Sequence, residues 1–160
     1  MERIRSGAGR SRQQPRIGAP DPALTPNAGL AAITELCGRL GVVEALDKAV
    51  GPIKQRDRGF GAGELLTGIA AAQLAGADFL TGLDRQRADA AGQLITPVPG
   101  LASTTAAGLA RRFTPAQWQA VGQGVAAVTS RMLSLLPAER AAALADGPVT
   151  IDLDTTDVEV

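Results

Sequence analysis

The residues best suited to chemistry lie in one short stretch, Val149-Thr-Ile-Asp-Leu-Asp-Thr-Thr-Asp-Val-Glu-Val160. Its β-branched, alternating character predicts a strand. Alternate residues of a strand share a face, so Asp152, Asp154 and Thr156 project together, while Ile151 and Leu153 face a core. Carboxylates at the end of a buried strand offer hard oxygen ligands for Mg²⁺, which keeps part of its water shell. The plainer alternative is the solvated face of an edge strand.

A second group of residues suits binding. Arg85 and Arg87 follow one another on a polar stretch, and Arg111 and Arg112 close a short predicted helix from Thr104 to Phe113. Ser103, Thr104 and Thr105 stand at the start of that helix, with Ser103 as its N-cap. Hydroxyls at a helix N-terminus can meet bases or phosphates, and the arginines can neutralise a phosphate backbone. The helices flanking Thr96-Pro-Val-Pro-Gly100 therefore suggest a helix-turn-helix-like unit, with 104–113 as its recognition helix.

Other chemistries are excluded by residue type. There is no His, so imidazole-based metal sites and catalytic triads are impossible, and the single Cys37 rules out an intramolecular disulfide. Gly59-Phe-Gly-Ala-Gly63 lacks the preceding strand and the Lys-Ser/Thr pair of a phosphate-binding loop. It reads as a turn into a helix.

The elements that must position these residues are mainly helical. Residues 1–26 carry five Arg among Gly, Ser, Gln and Pro and predict a disordered basic arm. Asn27 offers an N-cap to a first helix with Leu30, Ile33, Cys37 and Leu40 on one stripe, ended by Gly41. A second short helix closes at Gly51-Pro52. A third spans about Glu64 to Ala75, and Asp78 can cap a continuation through Phe79, Leu80 and Leu83. Thr96 to Gly100 is a break, after which Thr114-Pro115 starts a longer helix. Trp118, Val121, Val125, Val128, Met132 and Leu135 are spaced 3-4-3-4-3 there. That spacing is a heptad seam, suited either to packing inside the domain or to a homodimer. The expectation is thus a helical, DNA-binding domain over residues 27–145, with 146–160 holding the first strand of another unit.

Composition agrees with closely packed helices: aromatics are 2% and Ala supplies 30 residues. The net charge of zero is unevenly spread. Residues 1–145 carry 16 basic and 11 acidic side chains, a surplus of five, and the last 15 residues carry five acids and no base. A basic body points to a polyanionic partner. The longest apolar stretch, Leu65 to Ala77, is too short for a membrane span, and the Arg-rich start is no secretory signal, so the expected location is cytoplasmic.

The strand also resembles the first motif of haloacid dehalogenase-like phosphotransferases, through Asp152-Leu-Asp154-Thr-Thr156. More of the chain resembles the N-terminal part of bacterial insertion-sequence transposases of the DDE type, the transposase DDE group 1 family. That likeness lies in Glu64-Leu-Leu, Ala70-Ala-Ala-Gln-Leu-Ala-Gly-Ala-Asp-Phe-Leu80, Leu83-Asp-Arg-Gln-Arg-Ala-Asp89, Ser103-Thr-Thr, Arg111-Arg-Phe113 and the terminal stretch. The resemblance implies a helical region that binds transposon ends, followed by a ribonuclease H-like core using Mg²⁺. It places the first catalytic Asp and metal ligand on Asp154, with Asp152 as second choice. The second Asp and the Glu of the triad would fall beyond residue 160, so the expectation is a truncated chain, inactive by itself. A non-enzymatic helical dimerisation module remains a further alternative.

Overall fold

The computed structural model describes residues 21, 23–56 and 58–148. Among them are seven helices: α1 (Leu30–Leu40), α2 (Val42–Val50), α3 (Ala62–Leu74), α4 (Thr81–Ala88), α5 (Ser103–Ala110), α6 (Pro115–Ser134) and α7 (Ala138–Asp146). A 3₁₀ turn at Gly92–Leu94 lies between α4 and α5. The expected mainly helical class holds. The predicted strand at 149–160 and the arm at 1–20 lie outside the described residues.

Several boundaries follow from local chemistry in the expected way. Gly41 ends α1 at φ 57°, a left-handed conformation that glycine adopts without a Cβ penalty. Thr114 caps α6 by accepting the Gln117 N–H at 3.2 Å, and Pro115 occupies the first helical position.

Other boundaries differ. Gly29, not Asn27, is the N-cap of α1, because Asn27 is drawn into contacts with Thr25 and Asp89. Thr25 donates to Asp89 at 2.5 Å, so the end of the predicted arm is tied to the body. Ala102, not Ser103, precedes α5, and Leu80 rather than Asp78 precedes α4.

The core is built around α3. Leu65 is fully buried, with Leu83 of α4 and Ala106 and Leu109 of α5 in the same cluster. Val98 and Leu101 join it, and Leu101 seats against Gly68 of α3. The Pro-Gly segment is therefore not a boundary between units. Its apolar side chains fill the space that three short helices leave open.

α2 is held from two sides by close backbone approach. A Cβ on Gly63 of α3 would stand 2.1 Å from the Val43 carbonyl oxygen, and one on Gly124 of α6 would stand 2.9 Å from the nearest methyl of Leu46. α6 runs antiparallel to α2. Gln117 donates to the Pro52 carbonyl at 3.0 Å at one end, and Arg131 donates to the Leu40 and Gly41 carbonyls at 2.6 and 2.9 Å at the other. The contact face of α6 is thus Gln117-Gly124-Arg131, one residue off the apolar heptad. Val121 and Val128 are half-buried, while Trp118, Val125 and Met132 keep 48%, 53% and 47% exposure.

These contacts set an order of substitution costs. Gly63→Ala meets rigid backbone and should destabilise by about 3 kcal/mol, and Gly124→Ala meets a movable Leu and should cost about 1–2 kcal/mol. Gly122→Ala, on the open side of α6 with nothing within 4 Å, should instead gain about 0.5–1 kcal/mol. Urea unfolding of the three variants measures this order, and a neutral Gly63→Ala would contradict the described α2–α3 contact.

Candidate anion-binding site

The N-terminus of α5 is fixed by a carboxylate from α4. Asp84 accepts the Ser103 backbone N–H at 3.1 Å and also the Ser103 hydroxyl. An anion here satisfies a free helix N–H and complements the helix dipole. These two hydrogen bonds, with the Arg87 cation adding to them, hold the Asp84 carboxyl below its ordinary value. Asp47 of α2 does the same for α3, accepting the Gly63 N–H at 2.7 Å.

With Ser103 engaged in this way, the free face of α5 is carried by others. Thr104, Thr105 and Gly108 are exposed, as are Arg111 and Arg112 just past the helix end, while Ala106 and Leu109 are buried. The positions recur at helical spacing, so they form one stripe.

The stripe borders a cleft of about 810 Å³. Thr105 and Arg112 line one side, and Arg56 and Arg58 from the α2–α3 loop line the other, over the apolar side chains of Ile53, Phe60 and Leu109. No carboxylate lines this cleft among the described residues. Lys54 organises the loop: its ammonium donates to the carbonyls of Arg58, Gly59 and Phe60 at 2.5, 2.7 and 2.6 Å. An ammonium has three N–H donors, and all three are used. The cationic side chains left to face the cleft are those of Arg56, Arg58 and Arg112.

The structure joins only some of the expected residues. Thr105 and Arg112 meet in the cleft, and Thr104 and Arg111 lie beside them on the α5 stripe. Arg85 lines a separate depression near Asn27 and Asp89, and Arg87 sits by Asp84. Asp152 and Asp154 lie outside the described residues. The Mg²⁺ expected there finds no cluster of three or more suitable side chains among the described ones. Asp47, Glu64, Asp84 and Asp89 are instead engaged by backbone N–H groups or hydroxyls.

Arg56 and Arg58 were not among the binding residues expected from sequence. The available signal was the cation-rich Lys54-Gln-Arg-Asp-Arg58 run before a glycine turn. What the run does not show is that the loop folds back toward the end of α5.

A second concavity, about 270 Å³ and almost wholly apolar, lies between α1, α3 and α6, with Val121, Val125 and Val128 on one wall. The Thr67 hydroxyl is buried beside it with no partner among the described residues, and burial pushes the Cys37 thiol up, away from a reactive thiolate. No described helix is long and apolar enough to cross a membrane.

The Asp84 contact gives a pH dependence with a definite sign. Its folded pKa lies below the ordinary 3.8, so the stabilisation is fully present above that value and is lost as pH falls through the depressed one. Asp84→Asn should lower the melting temperature at neutral pH and flatten its fall in acid. Melting curves between about pH 2 and pH 7 test this, and an unchanged acid limb would mean that Asp84 does not hold α5.

Comparison of the chain with protein-family models, with curated proteins and with solved structures finds no match.

Proposed function

We propose that this chain is a DNA-binding helical region of the kind that accompanies a DDE-type transposase core, with α5 as the element laid against the duplex. The observation that carries the reading is the α5 stripe. Thr104, Thr105, Gly108, Arg111 and Arg112 share one exposed face on a helix whose opposite face is locked in the core. Gly108 has no side chain and nothing within 4 Å of where one would start, which leaves the middle of the face open to a close approach. Arg111 and Arg112 would pair with phosphates and release counterions, while the threonine hydroxyls reach toward base edges or sugar. Because Asp84 ties α5 to α4, the helix would be presented in a fixed orientation.

The same reading carries the first catalytic carboxylate on Asp154, with Asp152 as second choice, and Mg²⁺ as the ion those carboxylates would hold. Strand transfer by two metal ions needs further carboxylates from other parts of a ribonuclease H-like core. For the helical region, binding is the proposed activity.

Titration of a labelled duplex at several salt concentrations tests the proposal. Arg111→Ala with Arg112→Ala should weaken binding across sequences and reduce the slope of log affinity against log salt by about 2, about 0.9 for each phosphate that is no longer neutralised. Absence of duplex binding by the unaltered chain at low salt would overturn it.

A further inference from the structure

We infer that the cleft between the Lys54-held loop and the end of α5 is a site for an unpaired nucleotide of a nucleic-acid strand, adjoining the duplex contact along α5 and sharing Thr105 and Arg112 with it. Three observations combine. The cleft is an open groove of about 810 Å³, with room for a group of nucleotide size. Its rim carries Arg56, Arg58 and Arg112 with the Thr105 hydroxyl, and its walls include Ile53, Phe60 and Leu109. The loop that supplies two of the arginines is fixed from within by Lys54, whose three hydrogen bonds to carbonyls leave its ammonium no donor for a ligand.

The combination of an apolar wall and a guanidinium rim decides the class of ligand. A duplex offers its phosphates on a convex ridge and keeps its base faces stacked inside, so it can use the rim and gains nothing from the wall. An unpaired nucleotide has an apolar base face and a phosphate on the same small unit. Sites for single strands combine a cationic track with apolar or aromatic surface in this way. Arg56 and Arg58 approach from the loop and Arg112 from α5, so phosphate oxygens can be held from two sides while the base occupies the space between. The cleft adjoins the α5 stripe through Thr105 and Arg112. A strand that leaves a duplex on α5 would reach it directly, and in that respect the inference rests on the proposed duplex contact.

The test uses the full chain and three probes: a blunt duplex, the same duplex with a short single-stranded overhang, and the overhang strand alone. Binding is read by fluorescence anisotropy at fixed low salt, with thermal melting of each variant as the folding control. Arg56→Gln with Arg58→Gln should weaken binding of the overhang and single-strand probes about tenfold or more, with blunt-duplex binding changed less than about threefold. Arg111→Ala should show the reverse pattern. Lys54→Met, which leaves all three rim arginines in place but frees the loop, should also weaken the overhang probe selectively.

Equal weakening on all probes would overturn the inference, because it would reduce the cleft to part of a general cationic field. So would displacement of the overhang strand by a free nucleoside monophosphate at the strand's own concentration, or Arg56- and Arg58-dependent binding to vesicles containing phosphatidylserine in preference to the strand. If the blunt duplex does not bind but the single strand binds and depends on Arg56 and Arg58, the duplex proposal fails and the cleft assignment stands.

Discussion

The constraint on which the other helices depend is the approach of Gly63 to the Val43 carbonyl, so close that a Cβ on Gly63 would stand 2.1 Å from the oxygen. At that separation α3 can lie against α2 only where it carries no side chain. The approach brings the Asp47 carboxylate within 2.7 Å of the Gly63 N–H, so the same contact that crowds the backbones also caps α3. With α3 fixed, Leu65 is placed at the centre of the core, and α4, α5 and the 96–101 segment are arranged around it. In the loop between α2 and α3, Lys54 donates to three of the loop's own carbonyls. Arg56 and Arg58 of the same loop line the cleft.

The other side of α2 shows a competition between two heptads on one helix. The apolar set on α6, Trp118-Val125-Met132 with Val121 and Val128, is the stronger hydrophobic signal. Gln117-Gly124-Arg131 nevertheless takes the contact. Its end members satisfy carbonyls at the two ends of α2 and at the end of α1, and its middle member permits close approach. Only Gly124 of this set is buried, with Gln117 half-buried and Arg131 exposed. The centre of the interface is therefore set by the close approach at Gly124, flanked by the half-buried Val121 and Val128, and the polar residues fasten its two ends. Trp118 recovers some packing by stacking on Phe113 at a centroid separation of 4.5 Å.

What could be read in the sequence was the part governed by neighbours in the chain. Gly41, Gly51-Pro52 and Thr114-Pro115 mark helix ends through their own backbone preferences, and the structure has those ends. Failures came where a distant residue supplied the cap. Ser103 looks like an N-cap by type, but Asp84, nineteen residues earlier, takes its hydroxyl and its N–H, and the helix starts on Ser103 itself. Asn27 likewise gives up a capping role to contact Asp89. The 96–100 segment reads as a break because its prolines and glycine dominate the pattern, although Val98 is buried in the core. For the candidate cleft, Thr105 and Arg112 were within reach of the sequence because α5 and the turn that follows it place them seven residues apart on one side. Arg56 and Arg58 were not, because only tertiary packing brings the loop to α5.

The two capping differences, at Ser103 and Asn27, share a cause in the use of charge, since each residue is drawn to a carboxylate. The chain is neutral in total, yet among the described residues the two signs are used differently. Asp47, Glu64, Asp84 and Asp89 accept hydrogen bonds from N–H groups or hydroxyls that hold helices and turns in place. A carboxylate suits that work because helix N-termini present unsatisfied N–H donors and a partial positive charge. Lys54 and Arg131 are the basic counterparts, each engaged by carbonyls. Arg56, Arg58, Arg111 and Arg112 have no such internal work and stand exposed. A sum over the sequence treats every charge as equally free, whereas the fold engages these four carboxylates in its own caps and turns and brings Arg56, Arg58 and Arg112 to one cleft. The cationic lining of that cleft depends on where individual acids are used as well as on where the bases stand, and a count of bases alone would miss it.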